Sequence, residues 1–285
     1  MRKIAFTKMH GAGNDYIYID LFSSPLDFDP ADLARKMSPR HFSVGADGVV
    51  LILPSEVADA RMRMFNLDGS EGRMCGNAIR CVAKYLSDHG IVDKDLITVE
   101  TLSGVKTLRL YKEQGVTVRV SVDMGRAVFT PAEIPVLCDD AVMREAPVTV
   151  LGRNYALTAV SMGNPHAVIF TEGVDELDLA KIGPSFEHLP LFPERVNTEF
   201  VEVIDERTLK MRVWERGSGE TYACGTGACA TVAAAVLTGR VPAGEEITVR
   251  LIGGDLVIKV DEEYRVTMTG GASEVYQGVY AYDED

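Results

Sequence analysis

Two segments of this 285-residue chain align without a gap at a separation of 149 positions (224 minus 75). The first runs from Phe65 to Asn77 and the second from Trp214 to Thr226. Each has an aromatic residue ten positions before a cysteine, a glutamate four positions before it and a glycine directly after it. We interpret this match as the trace of a duplicated half-protein. It predicts two related structural halves that each contribute one cysteine to a shared site.

Only two long helical segments stand out, and each begins at a cysteine motif. They run from Asn77 to His89 and from Gly227 to Thr238, and a glycine suited to cap a helix follows each. The second segment is apolar almost all round, which predicts a helix buried on most of its surface. Two shorter stretches, Asp32 to Met37 and Glu176 to Ile182, predict peripheral helices, one in each half.

Alternating or β-branched runs recur along both halves and predict short strands, many of them antiparallel. The predicted fold class is therefore α+β. We expect two pseudo-symmetric domains, each a mostly antiparallel sheet or barrel-like wrap around one central helix, with the active site in the cleft between them. Residues 1–127 with residues 274–285 are expected to form the first domain, and residues 128–273 the second.

The charge balance excludes several classes of partner. A formal net charge of −13 disfavours nucleic acid and anionic membrane surfaces, because a field of that sign repels phosphate. A small-molecule substrate fits better. The stretch from Met1 to Lys8 is too short and too interrupted for a signal peptide, and no apolar run approaches the roughly 18 residues of a membrane span. We expect a soluble, cytoplasmic protein.

The cysteines are few and odd in number, namely Cys75, Cys81, Cys138, Cys224 and Cys229. Such a set fits a reducing compartment better than a disulfide framework. None of them forms a Cys-x-x-Cys pair, so no metal site is expected. Cys81, Cys138 and Cys229 are interpreted as small buried hydrophobic residues.

Cys75 and Cys224 differ from the others because each stands at the start of a predicted helix. The positive end of the helix dipole and its unpaired N–H groups favour a thiolate and lower the pKa of a thiol, ordinarily about 8.5. The N–H groups of the residues that follow are candidate donors to a substrate α-carboxylate. Those residues are Gly76, Asn77, Gly225 and Thr226.

A thiolate on one face of a carbon and a thiol on the other would invert its configuration, which predicts a racemase or epimerase. Returning the proton to the same face would only restore the starting isomer. No clear lysine signature for an imine-forming cofactor is present, so no cofactor is expected.

Five stretches carry a more specific pattern: Asn66-x-Asp68-Gly69-Ser70, Met74 to Cys81, Gly163 to His166, Glu215 to Gly217 and Ala223 to Gly227. In this order they resemble the diaminopimelate epimerase family, and the resemblance extends from Phe6 to Gly278. Members of that family interconvert LL- and meso-diaminopimelate without a cofactor, for lysine and cell-wall synthesis.

The resemblance implies roles for individual residues. Cys75 and Cys224 become the two acid/base thiols, and His166 and Glu215 become groups that tune them. The substrate ligands, largely for the distal amino-acid end, become Asn14, Asn66, Asn164, Asn197, Glu215 and Arg216. The resemblance also implies a homodimer, with Tyr276 as a contact.

Two positions depart from the family pattern. Gly48 stands where some members have a ligand-contacting glutamine, so any contact there is made by the backbone or is absent. Ala78 replaces a glycine that many relatives have. Neither departure affects the thiol pair.

Three alternative functions are compatible with the two cysteine motifs. A two-thiol racemase of proline or hydroxyproline would not need the distal-end residues Asn197 and Arg216. A redox-switch protein would cycle Cys75 and Cys224 between dithiol and disulfide, without hydrogen exchange into an amino acid. A noncatalytic amino-acid-binding protein would show affinity without exchange and would tolerate loss of either cysteine.

Overall fold

A computed structural model describes residues 2–23 and 27–283 of the chain, which form two compact units. The first unit comprises the described residues up to Asp123 and from Gly270 onward, and the second runs from Met124 to Thr269. Within the described residues, no helix is long and apolar enough to cross a membrane.

The described residues up to Arg126 supply eight strands and two helices. They are β1 (Arg2–Gly11), β2 (Asn14–Asp20), α1 (Pro30–Met37), β3 (Gly48–Leu53), β4 (Ala60–Asn66), β5 (Glu71–Gly72), α2 (Gly76–Asp88), β6 (Leu96–Thr101), β7 (Gly104–Glu113) and β8 (Val116–Arg126).

The described residues after Arg126 supply ten strands, two α-helices and two short 3-10 helices at Pro131–Glu133 and Val174–Glu176. The labelled elements are β9 (Ala146–Val150), β10 (Arg153–Ser161), β11 (Pro165–Phe170), α3 (Leu179–Glu187), β12 (Asn197–Asp205), β13 (Thr208–Glu215), β14 (Gly219–Thr221), α4 (Gly225–Leu237), β15 (Glu246–Leu251), β16 (Gly254–Val260), β17 (Arg265–Gly270) and β18 (Ser273–Tyr282).

The first unit is a mostly antiparallel sheet around α2. Its strands pair in the order β18, β1, β2, β3, β4, β6, β7, β8, and β5 pairs with β4. Only β2–β3 and β4–β6 are parallel among these pairs. Helix α2 packs against β1, β2, β6 and β7, and its residues from Gly76 to Leu86 are all buried.

The second unit repeats this arrangement around α4. Its strands pair in the order β9, β10, β11, β12, β13, β15, β16, β17, and β14 pairs with β13. The parallel pairs, β11–β12 and β13–β15, fall at the same places in the order. Helix α4 packs against β10, β11, β12, β15 and β16. The predicted fold class, a mostly antiparallel wrap around one central helix in each half, is confirmed.

One predicted element is wrong. The segment from Glu176 to Ile182 is not a single helix, because a 3-10 turn ends at Glu176 and α3 starts afresh at Leu179. The side chain of Asp178 accepts a hydrogen bond from Lys181 N at 3.2 Å and so caps the new helix. Strand β1 pairs with β18, which joins opposite ends of the chain, and such a long-range pairing leaves little local signal in the sequence.

Candidate active site

In the first unit, Cys75 directly precedes α2 in an extended conformation and occupies the N-cap position. Its Sγ donates to Asn14 Oδ1 at 3.3 Å, and Asn77 Nδ2 donates to the same oxygen at 3.4 Å. Asn14 comes from the start of β2, so a strand and a helix start together define this site. The structure therefore brings three of the predicted residues, Asn14, Cys75 and Asn77, into one cluster.

The orientation of the Asn14 amide is set by a carboxylate that sequence reasoning did not assign a role. Asn14 Nδ2 donates to Asp47 Oδ2 at 2.6 Å, which turns Oδ1 toward Cys75. Arg40 donates to Asp47 Oδ1 at 3.0 Å and to Asp15 Oδ1 at 2.6 Å, and Lys8 forms an ion pair with Asp15. A charged network thus holds the amide in place behind the thiol.

A second unassigned residue, Arg80, stabilises the first turn of α2. Its guanidinium is fully buried and donates to Gly76 O at 3.0 Å and to Asn77 Oδ1 at 3.0 Å. It also donates to Gly271 O at 3.3 Å, which links the helix start to the returning C-terminal segment. Because Gly76 and Asn77 directly follow Cys75, this side chain fixes the backbone next to the thiol.

Asn66 lies at the end of β4, where its Nδ2 donates to Ser70 Oγ at 3.0 Å. The structure gives it no hydrogen bond to the Asn14–Cys75 cluster among the contacts it describes. Gly48 pairs with Asn66 across β3 and β4, and a Cβ at Gly48 would lie 2.0 Å from Phe65 O. A glutamine at this position would require the local backbone to move, which accounts for the glycine.

In the second unit, Cys224 occupies the N-cap position of α4. Its Sγ accepts a hydrogen bond from Gly227 N at 3.3 Å and lies 3.5 Å from Thr226 Oγ1. Cysteine takes the place that Ser, Thr, Asp or Asn usually fills at a helix start. The side chain is only 5% exposed, so this thiol lies in a desolvated setting.

Beside Cys224, two buried polar side chains and the half-buried Asn164 form a chain of hydrogen bonds. His166 Nδ1 lies 2.7 Å from Glu199 Oε1, and His166 Nε2 lies 3.0 Å from Asn164 Oδ1. Asn164 Nδ2 in turn donates to Thr226 Oγ1 at 3.3 Å, at the start of α4. His166 and Glu199 are both fully buried. Sequence reasoning assigned roles to Asn164, His166 and Thr226 but missed Glu199.

Glu215, at the end of β13, is the second carboxylate of this cluster. Thr221 Oγ1 donates to its Oε1, and burial raises the pKa of Glu215 despite hydrogen bonds from Thr221 and Cys224. Burial also raises the pKa of Cys224 well above its usual value, and the negative charges of Glu215 and Glu199 raise it further. Hydrogen bonds from Thr226 and Gly227 N oppose this rise without overcoming it.

The expectation that its helix start lowers the pKa of this thiol is therefore wrong for Cys224. The helix end does contribute a hydrogen bond from Gly227 N to the sulfur, as expected. Burial and two nearby carboxylates outweigh that contribution, because a thiolate there would be a further negative charge in a desolvated cluster.

The remaining predicted ligands of this unit, Asn197 and Arg216, are joined to each other. Asn197 Oδ1 accepts a hydrogen bond from Arg216 N at 2.9 Å, and Asn197 Nδ2 donates to Pro165 O at 3.1 Å. Arg216 Nη1 donates to Glu194 O at 2.8 Å. Asn197 thus holds the backbone of the loop that carries Arg216.

Glu187, on α3, supports the same loop. It accepts hydrogen bonds from Trp214 Nε1 and from Gly217 N, each at 2.9 Å. Burial of Glu187 tends to raise its pKa, but these hydrogen bonds and the charge of Arg195 act more strongly, so the pKa is lowered. The ionised carboxylate therefore stabilises the loop that starts at Glu215.

The two-unit architecture is shared with solved structures of low sequence identity. A PhzF-family phenazine biosynthesis protein from Bacillus anthracis superposes with a TM-score of 0.73 at 16% identity, covering 99% of this chain and 100% of that chain. A hydroxyproline epimerase from Agrobacterium vitis superposes with a TM-score of 0.71 at 16% identity, covering 99% of this chain and 94% of that chain. By its fold, the protein falls in the structural class that these proteins share.

Sequence comparison identifies the family within that class. The family model described as diaminopimelate epimerase matches residues 6–130 and 158–275. A diaminopimelate epimerase from Desulfovibrio desulfuricans is 58% identical over 284 residues, covering 97% of this chain and 98% of the relative. The chain belongs to the diaminopimelate epimerase family, and the resemblance inferred from its motifs is confirmed.

Proposed function

We propose that the protein interconverts LL- and meso-diaminopimelate, with Cys75 and Cys224 as the two acid/base groups and without a cofactor. The observation that carries this proposal is the repeated helix start. In each unit a cysteine is the N-cap of the central buried helix, at the same place in the duplicated motif. Family membership supports the substrate, and the need for one proton donor and one acceptor on opposite faces of a carbon supports the paired thiols.

The two thiols are proposed to act in different protonation states. Cys224 rests as the thiol, since burial and nearby carboxylates disfavour its thiolate. In the direction that needs Cys224 as the acid, the thiolate of Cys75 removes the α-proton and Cys224 returns a proton to the opposite face. The reverse reaction exchanges these roles. Atoms and charge balance, because one proton moves onto one sulfur as another leaves the second.

Charge that develops on the α-carboxylate needs donors that are already in place. We propose that the N–H groups of Gly76 and Asn77 and of Gly225 and Thr226 supply them, because the first N–H groups of a helix have no partner within it. The N-cap sulfur of Cys224 already accepts from the next N–H, that of Gly227. The N–H groups of Gly225 and Thr226, which precede Gly227, lie at the same N-terminal end of α4.

The distal end of diaminopimelate carries an ammonium and a carboxylate that do not react. Glu215 and Arg216 offer an acceptor and a cationic fork side by side. Asn14, Asn66, Asn164 and Asn197 offer amide groups, of which Asn197 acts partly by holding the Arg216 backbone. A smaller cyclic amino acid would leave these groups without partners.

The first test is proton NMR of LL-diaminopimelate in deuterium oxide, with reduced protein and no added cofactor. We expect the α-proton signal to disappear while the meso isomer forms. Cys75→Ala and Cys224→Ala should each abolish or cripple the epimerisation. Cys138→Ala is the matched control, because it removes a half-buried thiol that is not at a helix start.

Two results would overturn the proposal. Folded, reduced protein that exchanges no α-proton of diaminopimelate would refute the substrate, and proline and hydroxyproline would be tried next. Epimerisation that survives loss of either helix-start thiol would refute the paired-thiol mechanism even if the substrate is right.

We further propose that the enzyme acts in the cytoplasm as a homodimer, as the family resemblance implies. Strand β18 carries the exposed apolar side chains Val275, Tyr276 and Val279, which a partner subunit would cover. Sedimentation velocity at assay concentration is expected to give a dimer, and Tyr276→Glu is expected to shift it toward monomer. A wild-type monomer under those conditions would contradict this assembly.

A further inference from the structure

The duplication is not symmetric behind the two thiols. The 149-residue spacing that relates Cys75 to Cys224 also relates Val50 on β3 to Glu199 on β12. Strand pairing supports this match, because Tyr18 pairs with Val50 in the first unit and Val168 pairs with Glu199 in the second, each across the parallel ladder. A buried carboxylate therefore replaces a buried valine at one position of the repeat.

Two further positions change together with this one. The ladder that pairs Tyr16 with Gly48 in the first unit pairs His166 with Asn197 in the second, so His166 takes the place of Tyr16. The third residue of the central helix is Ala78 in the first unit and Gly227 in the second. A carboxylate, its histidine partner and a glycine thus occur together only in the repeat that contains Cys224.

The glycine makes room for the carboxylate. A Cβ built at Gly227 would lie 2.6 Å from Glu199 Oε1 and 3.2 Å from Cys224 Sγ. Glu199 and the Cys224 sulfur therefore flank the same glycine at the start of α4. In the first unit no carboxylate occupies the equivalent place, and the helix tolerates the methyl group of Ala78.

We propose that Glu199 is a positioning residue for the proton transfer at Cys224, which orients His166 and keeps the Cys224 thiol protonated by placing a buried negative charge beside it. The role of Glu199 in proton transfer rests on the proposed function. Its effect on the ionisation of Cys224 does not, because it concerns only groups that the structure places together.

The hydrogen bonding of Glu199 explains how it would both orient His166 and place a negative charge near Cys224. Its Oε1 accepts from His166 Nδ1 at 2.7 Å, which fixes the ring so that Nε2 faces Asn164 Oδ1. Glu199 Oε2 is buried and has no hydrogen-bond partner among the described residues, so part of the carboxylate charge stays uncompensated next to Cys224.

The other titratable groups near Cys224 in its own unit are Glu215, from the end of β13, and His166, from β11. Glu215 raises the pKa of Cys224, in the same direction as Glu199. The expected effect of losing the Glu199 charge is therefore easier ionisation of Cys224, with Glu215 still in place.

The test uses Glu199→Gln in the full-length protein, because glutamine keeps the size of the side chain and an acceptor for His166 but removes the charge. Cysteine labelled with ¹³C at Cβ is titrated by NMR. We expect the onset of thiolate formation at Cys224 to move down by about one pH unit, as loss of a charge next to a buried group does. The Cys75 resonance in the same spectra should not move.

Glu202→Gln is the matched control. It removes the same charge from the same strand, three residues away and on the opposite face of β12. It is expected to leave the Cys224 titration unchanged. In the profile of kcat/KM against pH, the alkaline limb reports loss of the acid thiol. We therefore expect this limb to lie about one pH unit lower in Glu199→Gln than in the wild type, which matches the expected shift in the NMR titration.

A Cys224 titration that does not move in Glu199→Gln would overturn the inference, as would an equal shift in Glu202→Gln. If Glu199→Gln does not fold, Glu199→Asp keeps the charge and shortens the side chain. It should then retain the high onset of Cys224 ionisation while kcat falls, and a lowered onset would count against a charge effect. Because the NMR titration needs no turnover, its result stays distinct from failure of wild-type protein to epimerise diaminopimelate.

Discussion

Substitution of Gly227 by alanine should destabilise the second unit, although alanine is the better helix residue. The new Cβ would meet Glu199 Oε1 at 2.6 Å and both Cys224 Cβ and Sγ at 3.2 Å. Neither neighbour can move aside easily, because Glu199 is fully buried and bonded to His166, and Cys224 is the helix N-cap. Overpacking of this kind costs about 1–3 kcal/mol. Replacing a glycine within a helix by alanine stabilises the helix by about 0.5–1 kcal/mol, which offsets part of that cost.

The net loss in the free energy of unfolding is therefore expected to be about 1–2 kcal/mol. For a chain of this size that corresponds to a fall in Tm of about 2–4 °C. Differential scanning calorimetry at pH 7 measures it. Gly271→Ala is the control, because its Cβ would meet only Val118 O, at 3.8 Å, and its Tm should stay close to that of the wild type.

A double substitution shows whether the clash with Glu199 is the cause. Glu199→Val with Gly227→Ala reproduces in the second unit the pair Val50 and Ala78 of the first. Glu199→Val alone leaves His166 without its buried partner and should be strongly destabilising. The two changes together should cost less than their sum, by about 1–3 kcal/mol. Strict additivity, or a Gly227→Ala protein as stable as the wild type, would refute this reasoning.

Three further substitutions test the supports behind the thiols. Asp47→Ala removes the acceptor that orients the Asn14 amide. We expect kcat/KM to fall about tenfold, the value of one hydrogen bond to a charged group, with little change in Tm. An unchanged kcat/KM in steady-state kinetics would contradict this prediction. Glu187 has a lowered pKa, so it stabilises the fold above the usual carboxyl pKa and loses that effect as pH falls through its folded value. Glu187→Gln should therefore flatten the fall of Tm between about pH 6 and pH 3, and parallel curves for the two proteins would exclude the effect. Arg80→Lys removes the planar guanidinium that donates to Gly76 O and to Asn77 Oδ1. We expect the free energy of unfolding from urea titration to fall by about 2 kcal/mol, and kcat to fall in steady-state kinetics. An unchanged urea midpoint would show that the guanidinium is dispensable.

The sequence predicted most of the fold because its strongest signals are local or repeated. The starts of α2 and α4 follow from the cysteine–glycine motifs, and the two-half organisation follows from the constant spacing of those motifs. The pairing of β1 with β18 joins the two ends of the chain, and no local pattern predicts it. The error at α3 has a local cause, since Asp178 was interpreted as lying inside the helix that it caps.

For the site, the motifs selected residues that the structure groups around each thiol, such as Asn14 and Asn77 near Cys75. They assigned no role to Glu199, Asp47 or Arg80, although Arg80 lies within the Met74 to Cys81 stretch. For Glu199 a signal was present, because its repeat partner Val50 is apolar, and a charge opposite an apolar residue in an internal repeat is a sign of asymmetric function.

The sequence by itself determined that the chain has two related halves, that each central helix begins at a cysteine, and which family the chain belongs to. These properties can be inferred from short contiguous stretches, because the order of residues within each stretch is enough to predict them. Only the tertiary structure decided the electrostatic setting of Cys224. Its pKa is raised by burial and by the charges of Glu215 and Glu199, which come from β13 and β12 and are brought to the start of α4 by strand pairing and burial. Charge interactions depend on distance and desolvation, and neither is encoded at a single position of the chain.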